Sequence, residues 1–537
     1  MSKTASSLVV TAALTLAVAA NVGAQQQQQK QTAPDTDHVK ALIEQAKVRL
    51  NVPTDATQAQ AAPQGAKVDL TADEAVARAL ERNLTLASQR LTPQTFDYSL
   101  AASRAFYRPN VTSQVSNNSQ TTLGRLTTDG GLKTNQDTAG WNAGLTQNVS
   151  KFGGSYQLNW TNNRQATTQT TAQFLTAYTT GFQAQYTQPL LANFKIDNTR
   201  TTLLTTAIQQ DQAELDLQAT TASTVAQVRN AYWELAYAIL NLENQRAALD
   251  LSSKLVQDNR ARVEIGTMAP IDIVQAQAEE ATRRQTVVNA EATLQNNELA
   301  LKRLIVSGTD DPLWTASINA TDRPGVGTEA VDLEAAVRNA LANRTDLLTQ
   351  KKTIDLANVT LRSLRNQALP TLNAVGTYRL DGRGGKPSNT AIPPSNWWDA
   401  LSGVGNFEAP TWTIRLDFAY PIGTSQAEAN KARQEIVIRQ NQASIKATEL
   451  QIATEVTAAA IAIRSSLEAI QAATAARELS VKRAEAAQSK LDVGMATNFE
   501  VVQAQRDLAD ARNRELREHL NYRRAIVDFQ RTQISPR

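Results

Sequence analysis

The chain has 537 residues, with 54 Lys and Arg against 51 Asp and Glu, two histidines and no cysteine. The missing thiols exclude disulfides, thiol catalysis and cysteine metal sites, and the near balance of charge argues against nucleic-acid binding. His38 lies in a polar N-terminal segment and His519 on a charged helical stretch, so each reads as a solvated side chain, and no nucleophile elbow or phosphate loop accompanies them. No catalytic, cofactor or metal residues are expected, and the chain does not read as an enzyme.

In chain order, residues 1–24 read as a secretory signal. Lys3 precedes an apolar run from Leu8 to Ala20, and Val22, Gly23 and Ala24 offer a cleavage site. The run is too short to span a bilayer as a helix. Residues 25–66, rich in Gln, Pro, Ala and Thr, read as a flexible leader, with a short amphipathic piece at 38–50. Beyond the signal, no apolar stretch is long enough for a transmembrane helix, so any membrane crossing must use strands.

From residue 67 the chain divides into two related halves, 67–310 and 331–532, with a linker at 311–330 and a tail at 533–537. Ala75, Val76, Ala79, Leu80 and Leu86 match Ala336, Val337, Ala340, Leu341 and Leu347 at one offset of 261, which also carries Pro109 onto Pro370. Further on the offset is 228: EIGTMAPIDIVQAQ at 264–277 lies over DVGMATNFEVVQAQ at 492–505. Constant offsets through glycines and prolines indicate a duplication whose first copy has an expanded strand region.

Each half predicts a long helical hairpin. Val228, Leu235, Leu242, Leu249, Val256 and Val263 recur every seven residues, as do Val456, Ile463 and Ile470 before a break at Arg477. No proline interrupts Leu190 to Ala269, so a helix from about Asn198 to Glu264 is expected, roughly 100 Å long at 1.5 Å per residue. Strands are expected within about 111–188 and 371–420. Trp141, Ala143 and Leu145, then Tyr156, Leu158 and Trp160, then Trp412, Ile414, Leu416 and Phe418 alternate with polar residues in the manner of a membrane barrel. The stretches 119–139, 164–178 and 381–409 read as long polar loops, and SKFGG at 150–154 as a tight turn. Lipid tolerates no open sheet edge, so several chains must contribute. Six strands per chain would give a trimer 18; with the SKFGG hairpin outside the wall the total would be 12.

A signal segment, duplicated halves and a helix–strands–long-helix order resemble the TolC family of outer-membrane efflux channels. The junctions TQPLLANFKIDNTR (187–200) and YPIGTSQAEANKAR (420–433) and the two glycine phrases carry the resemblance. It implies a mainly α fold with a membrane β-barrel portion: a homotrimer whose helical barrel extends into the periplasm, and four strands per chain. It also implies partnership with a periplasmic adaptor and an inner-membrane pump, and contact with outer-membrane lipid. By that resemblance Ile265, Gly266, Thr267 and Met268 form one adaptor-contacting tip, and Val493, Gly494, Met495 and Ala496 the other. Asp272 and Glu500 near the next helix starts either favour helix initiation or, with Gln275 and Gln503, form a pore constriction. The family carries an acid where Gln503 stands, which leaves charge-based gating open. The rival reading is an exported structural or adhesive coiled-coil protein without a pore.

Overall fold

The computed structural model describes residues 67–123, 133–169, 171–266, 268–323, 332–389, 392–420, 422–423 and 425–535, all within one unit, Gly65–Arg537. The expected signal and leader at 1–66, and Thr267, lie outside the described residues. The first half runs β1 (Lys67–Leu70), α1 (Ala72–Arg82), α2 (Leu84–Ala105), β2 (Asn110–Leu123), β3 (Lys133–Asn148), β4 (Ser155–Thr167), β5 (Phe174–Pro189), α3 (Asn198–Glu264) and α4 (Pro270–Ile305). Within 311–330 the chain forms α5 (Pro312–Thr315) and β6 (Ser317–Ala320). The second half runs α6 (Leu333–Asn343), α7 (Thr345–Gln367), β7 (Thr371–Pro387), α8 (Trp397–Gly405), β8 (Pro410–Ala419), α9 (Gln426–Asp492) and α10 (Asn498–Thr532).

The duplication is visible element by element. α1 and α6 are each 11 residues, and α3 and α9 are each 67. Both long helices start on a side-chain cap: Asp197 accepts from the Arg200 amide and Ser425 from the Glu428 amide, satisfying donors that have no intrahelical partner. α3 spans the residues its sequence predicts. Its seam residues Val228, Leu235, Leu242 and Val256 are buried, the first two in a cluster with Leu301, Ile305 and Leu520 from α4 and α10. In the second half, Val456, Ile463 and Ile470 are buried likewise. At the break, Arg477 pairs with Glu515 of α10 at 2.8 Å.

β1 and β6 form a separate parallel pair beside the middle of α3. Tyr232 of α3 fastens it: its hydroxyl donates to the Leu70 carbonyl and accepts from the Asp322 amide, each at 3.0 Å. Burial pushes the Tyr232 hydroxyl up to about 12, so it stays protonated and able to donate. His519 is half-buried rather than solvated, with its Nδ1 unpartnered and its pKa lowered by burial, on a helix that packs against α9 and α3.

The other six strands make one antiparallel sheet in the order β2-β3-β4-β5-β7-β8. The SKFGG turn joins β3 to β4 inside this sheet, since β3 pairs with β2 and β4, and β4 with β3 and β5. The four strands per chain implied by the family resemblance are therefore exceeded. The expected polar loops are also shorter than the sequence suggested: β2 runs to Leu123, β3 starts at Lys133, and β7 reaches Pro387. These extensions lack alternating apolar residues because neither face there needs a dry core. Cross-strand hydroxyl contacts, such as Thr122 with Thr134 at 2.7 Å, hold them instead.

Candidate functional site

The sheet has two unlike faces, fixed by its pairing. One transverse row reads Ala143, Trp160, Phe182 and Leu380. Alternate positions along the strands extend this face through Leu145, Leu158, Ala184 and Tyr378 to Trp412, Ile414, Leu416 and Phe418. All four β8 residues are exposed, and Trp141 meets Trp160 edge-on with ring centres 5.0 Å apart. Such a contiguous apolar face is costly in water, at about 25 cal/mol per Å² of apolar surface.

The other face is polar. A concavity of about 390 Å³ on it is lined by residues including Thr112, Gln114, Asn142, Asn159, Thr161, Gln183 and Arg379. β2 to β5 present amides, hydroxyls and glycines there. Charge enters with β7 and β8, where Arg379 pairs with Asp381 and Arg415 with Asp417, each at 2.8 Å. The outer strands β2 and β8 each pair on one side only, so two rows of backbone groups are open.

At the far ends of the helical hairpins lie the two glycine turns. Gly266 and Gly494 have φ of +79° and +75°, and neither has any atom within 4 Å of the place a Cβ would occupy. Glycine is needed there for backbone conformation, not for space. Ile265, Val493 and Met495 are exposed, whereas Met268 and Ala496 turn inward onto Leu255, Leu491, Val501 and Val502. The structure thus brings the two tips together. The Asn498 amide donates to the Asp272 carbonyl at 3.2 Å, and Arg262 reaches the Leu491 carbonyl at 3.2 Å and Asp492 at 2.9 Å.

Asp272 and Glu500 both sit in the first turn of their helices. The Thr497 hydroxyl accepts from the Glu500 amide at 3.4 Å and donates to its carboxylate at 3.3 Å, a helix-starting arrangement. The first tip has no side-chain cap and begins instead on Pro270. Gln275 and Gln503 follow on the same helix faces and are exposed, Gln503 donating to Asp507 at 2.9 Å.

A buried carboxylate behind the tips was not singled out by sequence. Glu279 receives Arg283 of its own helix at 2.7 Å and Arg506 of α10 through two nitrogens, one at 2.8 Å. Burial raises its pKa, but the hydrogen bonds and charge of Arg506 and Arg283 outweigh that and hold it below the ordinary carboxylate range. The i,i+4 spacing of Glu279 and Arg283 is legible in the sequence; Arg506, 227 positions away, is not. Among the described residues no group of His, Asp and Glu could hold a metal ion, and no helix is long and apolar enough to cross a membrane.

Comparison with known proteins agrees with this geometry. Residues 336–531 match the family model described as outer membrane efflux protein. The chain is 25% identical over 301 residues to the outer membrane protein TolC of Vibrio cholerae, a match covering 56% of this chain and 65% of that relative. Among solved structures, a membrane protein from Pseudomonas aeruginosa is similar with a TM-score of 0.64 at 16% identity, over 86% of this chain and 92% of that one. The outer membrane protein VceC of Vibrio cholerae is similar with a TM-score of 0.62 at 14% identity, over 86% and 96%. At these identities the structural likeness speaks for the fold.

Proposed function

We propose that the chain is a member of the TolC family of outer membrane efflux proteins, to which its second half and a curated relative are similar, and that three copies form a passive exit duct of a tripartite efflux or secretion system. The observation that carries the reading is the six-stranded sheet with one apolar face, one polar face and two unpaired edges. The apolar face meets outer-membrane lipid and the polar face lines a water-filled lumen. Lipid tolerates no open edge, so β8 of one copy pairs with β2 of the next. An even strand number makes that closure work: six alternating strands leave β2 and β8 antiparallel, so three copies close an 18-stranded wall without a direction clash.

The helical hairpins extend from this barrel into the periplasm. Their tips, with Ile265, Val493 and Met495 exposed, dock a periplasmic adaptor, while Arg262, Asp492 and Asn498 hold the hairpins together until docking rearranges them. The inner-membrane pump supplies the energy. The test is purification in detergent followed by reconstitution into planar bilayers. The expected result is a trimer whose conductance rises when Arg262→Ser loosens the tips. A monomer with a soluble sheet, or an oligomer that never conducts even in that variant, overturns the reading and favours a poreless structural protein.

A further inference from the structure

Helix α8 interrupts the β7–β8 connection at the end of the sheet farthest from the long helices, and it lies on the apolar face, over β7 and β5. Two glycines admit it. A Cβ on Gly382 would stand 1.9 Å from the Ala400 carbonyl oxygen, and one on Gly384 2.6 Å from that of Asn396. Any side chain at either place would lift the helix away. Its start is fixed by a capping box between Asn396 and Asp399, and the Ser395 amide donates to the Gly385 carbonyl at 2.8 Å.

The helix covers the row where the apolar face ends. Beyond Trp160, Phe182 and Leu380 the next row is Asn162, Thr180 and Gly382. These polar groups are joined under α8: Trp397 Nε1 and the Thr180 hydroxyl both donate to Asn162 Oδ1, and Trp160 Nε1 donates to the Thr180 hydroxyl. On its outer side α8 presents Trp398, 69% exposed, and the turn after it presents Phe407, 58% exposed. Phe407 has a φ of +56°, a conformation that glycine adopts at less cost. A bulky aromatic at such a place implies use for its ring.

We propose that α8 is an interfacial anchor, lying in the outer leaflet where acyl chains meet headgroups, with Trp398 and Phe407 inserted at that boundary. This rests on the barrel reading above. The surface is continuous with the lipid-facing sheet, the first amides of the helix are capped by the Asn396 side chain, and indole rings favour the membrane–water boundary, where the remaining end groups can meet water. Because α8 rests on β7 and β5 rather than on the edge strands β2 and β8, closure of the trimer leaves it uncovered.

The test uses the full-length trimer in proteoliposomes containing phospholipid brominated either near the headgroup end or near the chain terminus. The Trp398 emission is taken as wild type minus Trp398→Phe, and the Trp412 emission as wild type minus Trp412→Phe. Trp398 is expected to lose more emission to the shallow label than to the deep one, while Trp412, one row inside the end of the apolar face, shows a higher ratio of deep to shallow quenching than Trp398. If Trp412 responds to lipid but Trp398 is quenched only by aqueous iodide, by the deep label more strongly, or by neither agent, the anchor is overturned and the barrel stands. If Trp412 also ignores both lipids, the barrel reading itself has failed.

Discussion

The long helices α3 and α9 are duplicates of equal length that live in different surroundings. α3 runs through the middle of the chain's own core, with Tyr232, Trp233, Leu235 and Tyr237 buried together. Its twin α9 buries little beyond its seam and exposes Leu450 at 71% and Ile461 at 54%, along with Ile436 and Leu479. One copy of the repeat has become a central pillar, and the other keeps an apolar flank that a single chain does not cover. Duplication preserved the length and phase of the helix and changed what it faces.

The difference can be broken most sharply at that flank. Leu450→Arg combined with Ile461→Arg should abolish the trimer in detergent while leaving the helical signal of each chain intact. Light scattering together with circular dichroism checks this. An unchanged trimer would mean that the exposed side of α9 faces solvent in the assembly.

A smaller effect is expected at the buried link between the two hairpins. Glu279→Gln leaves Arg506 and Arg283 without their shared carboxylate, and because Arg506 is 46% exposed the cost should fall below the roughly 3 kcal/mol of a fully buried pair. Because the folded-state pKa of Glu279 is depressed, its contribution is present above the unfolded carboxylate value and lost as pH falls through the folded one. The wild type should therefore lose more stability than the variant on acidification from neutral pH, as denaturant titration at several pH values would read. A constant gap between the two would remove Glu279 from the account.

The smallest expected effect compares the tips. Gly266→Ala and Gly494→Ala should each cost about 1 kcal/mol from the left-handed backbone alone, since no atom crowds either site. Thr497→Ala should cost a similar amount through its lost cap, with no counterpart in the first tip. Hydrogen exchange at the two turns reads both comparisons. Unequal glycine effects would show that the tips are held differently.

The helices, the strand faces and the glycine turns were legible because each rests on a local period or a local backbone demand. The heptad seam and the proline-free run framed α3, and alternation from Trp412 to Phe418 put those four residues on one face of β8. What the sequence concealed depends on distant partners. The extensions of β2 and β3 are polar on both sides and hold together only when Thr122 finds Thr134. Helix α8 hides in a stretch that reads as loop, because nothing local shows that Gly382 and Gly384 lie beneath Ala400 and Asn396. Of the expected tip residues, Met268 and Ala496 turn inward because the two tips pack on each other, a contact across 228 positions of sequence.

The ion pair of Arg477 with Glu515 replaces the greasy contact that Leu249 supplies in the first hairpin. An unbroken apolar heptad lets two helices slip by seven residues at little penalty, since every rung resembles the next. A single charged rung removes that freedom, because any slid arrangement strands the guanidinium against aliphatic carbon. With the short turn from Asp492 to Asn498 already fixing how far α9 and α10 can slide, this rung marks one register as the matched one.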